Sequence, residues 1–187
     1  MIPFTSEWRA AQARQQNARR YVGAAMADPL DDDVRWLSGA AAAGDEDHAR
    51  WELRYARLST AVFVAERDAL DDRTGSEIVA ALHEGLATDE RIAPDLRVLA
   101  ERQLSDRMQG YREAFFSRGG ATGTSENLGR VLLSFASDGA RSAGAPLARA
   151  TAVLAGYSLE CNAALREAYG TANLPEHLPP SEVAGGK

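Results

Sequence analysis

Apolar residues spaced at alternating steps of four and three constrain the fold of this chain more than any other feature. The run comprises Trp51, Tyr55, Leu58, Val62, Ala65 and Ala69. This spacing places the side chains on one stripe of an α-helix that packs against neighbouring helices. We therefore predict a long helix from about Asp45 to Asp71. Phe63 and Val64 widen its apolar surface, which favours a central position.

Helical periodicity continues along the chain, and β-branched runs that favour strands are scarce. Further helices are predicted over residues 6–27, a short stretch after Pro29, and residues from 74, 94, 128 and 146 onward. The glycine-rich segment GGATGTS is predicted to be a flexible connection. The predicted fold is all-α, a single-domain bundle of four or five long amphipathic helices plus short edge helices. The bundle would cover residues 1–170, followed by a Pro/Gly-rich tail over residues 171–187.

Composition narrows the functional classes. The chain has 187 residues and a net charge of −6, and an acidic chain without a basic stripe is not expected to bind nucleic acid. Cys161 is the only cysteine, so neither an intrachain disulfide nor a cysteine-based zinc site is expected. The N-terminus does not resemble a signal peptide, and no apolar run suits a membrane span. We expect a soluble cytoplasmic protein.

Three aspartates, Asp68, Asp71 and Asp72, form the first candidate site. They lie on one side of the predicted helix, and three carboxylates within two turns can bind Mg²⁺ or a phosphate-bound cation. A complete site would need acids from another helix. The alternative is a helix junction, because the following TGSE matches a capping box with Thr74 as the N-cap and Glu77 three residues later.

A second polar band lies on the opposite flank of the same helix. It contains His48, Glu52, Tyr55, Ser59 and Glu66. His48 and Glu52 are four residues apart and can share a metal or a hydrogen bond. Di-iron bundles require Glu-x-x-His on each of two helices, which the chain lacks. The band is interpreted as a polar network beside the core, with His48, Glu52 and Glu66 as the metal-binding alternative.

The segment YREAFF supplies a third candidate, since Tyr111, Phe115 and Phe116 could form an apolar contact surface for a partner. No complete catalytic constellation is present, and no cofactor is predicted. The expected function is that of a non-enzymatic helical protein acting through contacts with a protein partner or as a homo-oligomer. The alternative is a small carboxylate-based enzyme that binds a metal or a phosphate ligand.

Overall fold

The computed structural model describes residues 6–68, 72–116, 120–137 and 144–170. Its helices are α1 (Ser6–Ala25), α2 (Asp31–Ala40), α3 (Glu46–Asp68), α4 (Asp72–Thr88), α5 (Arg97–Phe115), α6 (Gly120–Ala136) and α7 (Ala145–Tyr169), with a short 3-10 helix at Pro94–Leu96. These ranges contain no strand, so the predicted all-α bundle is confirmed. The predicted tail over residues 171–187 lies outside the described residues and stays a prediction.

Helix α3 is central, as its apolar period predicted. It packs against each of the other six α-helices. From Ala56 to Ala65 only Arg57 is not fully buried. Asp45 caps the start of α3, where its Oδ1 accepts the backbone N–H of His48 at 2.9 Å. A helix that is apolar on most of its surface must be covered on most sides, which is why the other helices surround α3.

Helix α6 is longer than its sequence predicted. The GGATGTS segment was expected to connect two helices, but α6 begins at Gly120 and continues for 17 residues. Tertiary packing offsets the low helix propensity of glycine here. Gly129 lets α6 approach α7 so closely that a Cβ at this position would lie 2.8 Å from the backbone nitrogen of Thr151. The described ranges contain six α-helices of 17 residues or more and one shorter helix, α2.

The start of α4 also differs from the prediction. The helix begins at Asp72, so Thr74 lies within the helix and is buried rather than serving as its N-cap. Glu77, the other half of the predicted capping box, accepts a hydrogen bond from Nε of Arg14 on α1 at 3.3 Å. A contact between helices thus occupies the carboxylate that the local pattern assigned to the cap. No helix in the described part of the chain is long and apolar enough to cross a membrane.

Candidate functional site

The polar band of α3 faces α5, and arginines of α5 neutralise its carboxylates. Glu52 is 1% exposed. Nη2 of Arg107 donates to its Oε1 at 2.7 Å, and Nε donates to both carboxylate oxygens at 3.2 and 3.3 Å. Further along α3, Nη2 of Arg112 donates to Oε1 of Glu66 at 2.7 Å. The guanidinium groups of Arg107 and Arg112 thus occupy the carboxylate oxygens that a bound metal ion would need as ligands.

His48, Glu52 and Glu66 are not brought together. Glu52 and Glu66 are separated by about 21 Å along the helix, given its rise of about 1.5 Å per residue. Hydrogen bonding to Glu52 is the main reason why the pKa of Arg107 is raised, although burial of the guanidinium works against it. In the described ranges, no three His, Cys, Asp or Glu side chains are arranged to hold a metal ion. The described geometry of the band is that of buried and half-buried ion pairs.

Buried hydroxyl groups line the same interface. The hydroxyl of Tyr55 donates to Oε1 of Gln103 on α5 at 2.9 Å. The hydroxyls of Ser59 and Tyr111 are buried and have no hydrogen-bond partner among the described residues. Burial raises the pKa of Tyr55 to about 12, and burial also raises that of Tyr111 well above its ordinary value. Both phenols therefore stay protonated near neutral pH and are unsuited to act as bases.

Asp68 of the first candidate cluster is paired with its neighbour. Nε and Nη2 of Arg67 donate to its two carboxylate oxygens at 2.7 and 2.8 Å. The hydrogen bond to Asp68 is also the largest cause of the raised pKa of Arg67. This pair offsets the unfavourable position of an acid at the end of a helix. Asp71 and the side chain of Asp72 lie outside the described residues, so the cluster as a whole stays a prediction.

A buried ionic network that the sequence did not reveal joins α3 to the connections that follow α1 and α4. Its centre is Asp89, whose side chain is 3% exposed. Nη2 of Arg54 donates to Asp89 at 3.0 Å, and Nε of Arg91 donates to it at 2.7 Å. Arg91 also donates to Asp28 at 2.8 Å. Asp28 precedes Pro29 at the predicted start of the short second helix, but α2 begins after Leu30 and Asp28 contacts Arg91 instead.

The surroundings favour the charged form of Asp89 and disfavour that of Arg54. Burial opposes ionisation of Asp89, but hydrogen bonds from Arg91 and the charge of Arg54 outweigh it and lower the pKa of the carboxyl group. Burial, followed by repulsion from Arg91, lowers the pKa of Arg54. The guanidinium of Arg54 also lies 4.6 Å from the ring centre of Trp51. These mutually satisfied groups connect three chain segments, which fits a structural role.

The predicted partner surface near the end of α5 lies mostly inside the bundle. Tyr111 and Phe115 are buried, whereas Phe116 is 49% exposed. The Phe116 ring packs against Phe63 with a centroid distance of 5.9 Å, and Arg112 lies 5.8 Å from the Phe116 ring centre. Of the three candidate contact residues, Phe116 alone presents a large exposed surface.

A more exposed apolar patch lies at the opposite end of α5. We define the α5 patch as Leu96, Val98 and Leu99, which are 49%, 78% and 48% exposed. Leu96 and Leu99 belong to the apolar pattern that predicts a helix from residue 94 onward. Measured around the helix from Leu104, which is buried, Val98 and Leu99 lie more than about 100° away. Counting backwards from Leu104 at about 100° per residue predicts the outward position of Val98 and Leu99.

Comparisons with known proteins supply no functional assignment. No protein-family model matches the chain, and neither a curated protein nor a solved structure matches it.

Proposed function

We propose that this chain acts through contact with another protein and that the α5 patch is the contact surface. The observation that carries the proposal is the exposure of Leu96, Val98 and Leu99, three apolar side chains within four consecutive residues. An isolated exposed apolar residue is ordinary in a globular protein, whereas adjacent ones are typical of contact surfaces. Leu159 on α7, which is 72% exposed, is an isolated example within the same chain.

The chemistry of the polar groups also favours contact over catalysis. Glu52, Glu66 and Asp68 each pair with an arginine, which occupies the oxygen atoms that a metal would need. Burial raises the pKa of the Cys161 thiol to about 12, so its nucleophilic thiolate form is rare at neutral pH. The carboxylate-based enzyme therefore receives no support from the described residues. A cytoplasmic location and the lack of nucleic-acid binding form part of the proposal.

Site-specific photo-crosslinking tests the proposal. A photoreactive amino acid replaces Val98 in one variant and Leu159 in a control variant, and each is expressed in the cells from which the chain comes. Both positions are similarly exposed, so Leu159 is a matched control. We expect a discrete protein adduct at position 98 and none at position 159. Equal adduct patterns at the two positions, or none at position 98, would contradict the proposed surface.

A further inference from the structure

We propose that the partner of the α5 patch is a second copy of this chain, bound antiparallel across a two-fold axis between Val98 and Leu99. This inference rests on the proposed function and names its partner. Charged residues flank the patch on both sides along the chain. Asp95 and Arg102 are exposed, and neither forms an ion pair with a described residue.

Val98, Leu99 and Arg102 lie on the outer face of α5, and Asp95 lies in the 3-10 helix that leads into it. At about 100° per residue in α5 and about 120° in the 3-10 helix, the four side chains fall within an arc of roughly 100°. This arc points away from Leu104 and the buried stripe of the helix. An approaching helix would therefore contact an acid, an apolar pair and a base in that order.

The spacing of these charges matches a two-fold axis. Asp95 lies three residues before Val98, and Arg102 lies three residues after Leu99. Arg102 is thus about 5 Å along the helix from the centre of the apolar pair, at about 1.5 Å per residue, and Asp95 is about 6 Å away on the other side because the 3-10 helix rises about 2 Å per residue. In an antiparallel pair, Val98 faces the second copy's Leu99, and Asp95 faces the second copy's Arg102. The two-fold axis creates this ion pair twice.

Self-complementarity is the reason for choosing a second copy over a different protein. An isologous interface uses the same surface on both subunits, so opposite charges must lie at equal distances on either side of the axis. Asp95 and Arg102 satisfy this condition to within about 1 Å. The apolar area is small, so the dimer is expected in the weak, concentration-dependent class that buries less than about 1,200 Å².

Charge reversal in two separate variants tests the register. Asp95→Arg places a base at both positions of one chain, and Arg102→Asp places an acid at both positions of the other. Each variant alone is expected to self-associate about tenfold more weakly, since both ion pairs become repulsive. An equimolar mixture is expected to form the heterodimer, in which every facing pair is again of opposite charge. Native mass spectrometry distinguishes the species by mass.

Matched controls use exposed charges away from the patch. Glu113→Arg repeats the acid-to-base change near the other end of α5, and Arg9→Asp repeats the base-to-acid change on α1. Neither control is expected to change self-association, and circular dichroism of all four variants checks that each stays folded. Self-association that is insensitive to both reversals, or a mixture that forms no heterodimer, would overturn the proposed register.

The two proposals fail in distinguishable ways. A position-98 adduct that contains a different protein, together with a monomeric wild-type chain, would leave the contact surface standing and overturn the second copy as its partner. The absence of any position-98 adduct would remove the contact surface itself. An adduct of twice the chain mass, formed in lower yield by either charge-reversed variant, is the result that supports both.

Discussion

Replacement of Asp89 by asparagine is expected to destabilise the bundle strongly. The change keeps the shape of the side chain but removes its charge. Asp89 accepts hydrogen bonds from Arg54 and from both the side chain and the backbone of Arg91. Arg54 is 6% exposed, so its guanidinium would lose its buried counterion. Breaking a buried pair in this way costs about 3–5 kcal/mol.

The lower end of that range is the expected cost. Arg54 keeps its contact with the Trp51 ring, and Asp28 lies 3.8 Å away, although Asp28 is 55% exposed. These groups compensate only partly for a lost buried carboxylate, so we expect a loss of about 3 kcal/mol in the free energy of unfolding. Urea denaturation followed by circular dichroism measures it. Asp32→Asn is the matched control. The Asp32 side chain is 78% exposed and pairs with Arg35, and surface ion pairs of this kind contribute about 0–1 kcal/mol to stability.

The pH dependence of the same variant gives an independent check. The pKa of Asp89 is lowered in the folded chain. Its contribution to stability is therefore complete above the unfolded pKa of about 3.9 and disappears as the pH falls through the lower folded value. The difference between wild type and Asp89→Asn should shrink in that acidic range. A loss below about 1 kcal/mol at neutral pH would refute the description of Arg54 and Asp89 as a buried pair that depends on both charges.

Two further substitution pairs test the packing. Gly129→Ala should cost about 1–3 kcal/mol of stability because its Cβ would meet the Thr151 backbone. Gly156→Ala has open space around its Cβ and should stabilise α7 by about 0.5–1 kcal/mol. Equal shifts in the melting temperatures of the two variants would contradict the close approach of α6 and α7. Tyr111→Phe should not destabilise the chain, since the Tyr111 hydroxyl has no hydrogen-bond partner among the described residues. Tyr55→Phe should cost about 0.5–1.5 kcal/mol because the hydrogen bond to Gln103 is lost. A larger loss for Tyr111→Phe than for Tyr55→Phe in urea denaturation would show that the Tyr111 hydroxyl is hydrogen-bonded.

The central helix and its polar band could be predicted because they depend on spacing within one segment. The period around Tyr55 placed the core stripe, and the same arithmetic placed Glu52 and Glu66 on one flank. Their partners could not be predicted, since Arg107 and Arg112 lie on another helix. Arginine is abundant in this sequence, and its long side chain can reach several neighbours, so composition does not select which arginine meets which acid.

Long-range packing also explains the incorrect boundaries. Glycines in GGATGTS indicated a connection, but the tight approach of Gly129 to α7 depends on residues more than twenty positions later in the chain. Asp28 is a residue type that often caps helices, yet it accepts a hydrogen bond from Arg91 in the connection after α4. Leu99 belongs to an apolar-rich segment, and its exposure is visible only when its angle is measured from the buried Leu104. At Gly129 and Asp28, contacts with distant residues override the local pattern.

Sedimentation equilibrium of wild type and Val98→Glu, run side by side over a range of concentrations, tests the role of the α5 patch most directly. Val98 is 78% exposed, so the substitution changes the surface without disturbing the core. We expect the wild type to form a dimer with rising concentration, Val98→Glu to stay monomeric, and Leu159→Glu to behave like the wild type. A wild-type chain that stays monomeric throughout, or a Val98→Glu variant that dimerises equally well, would contradict self-association through the first turn of α5.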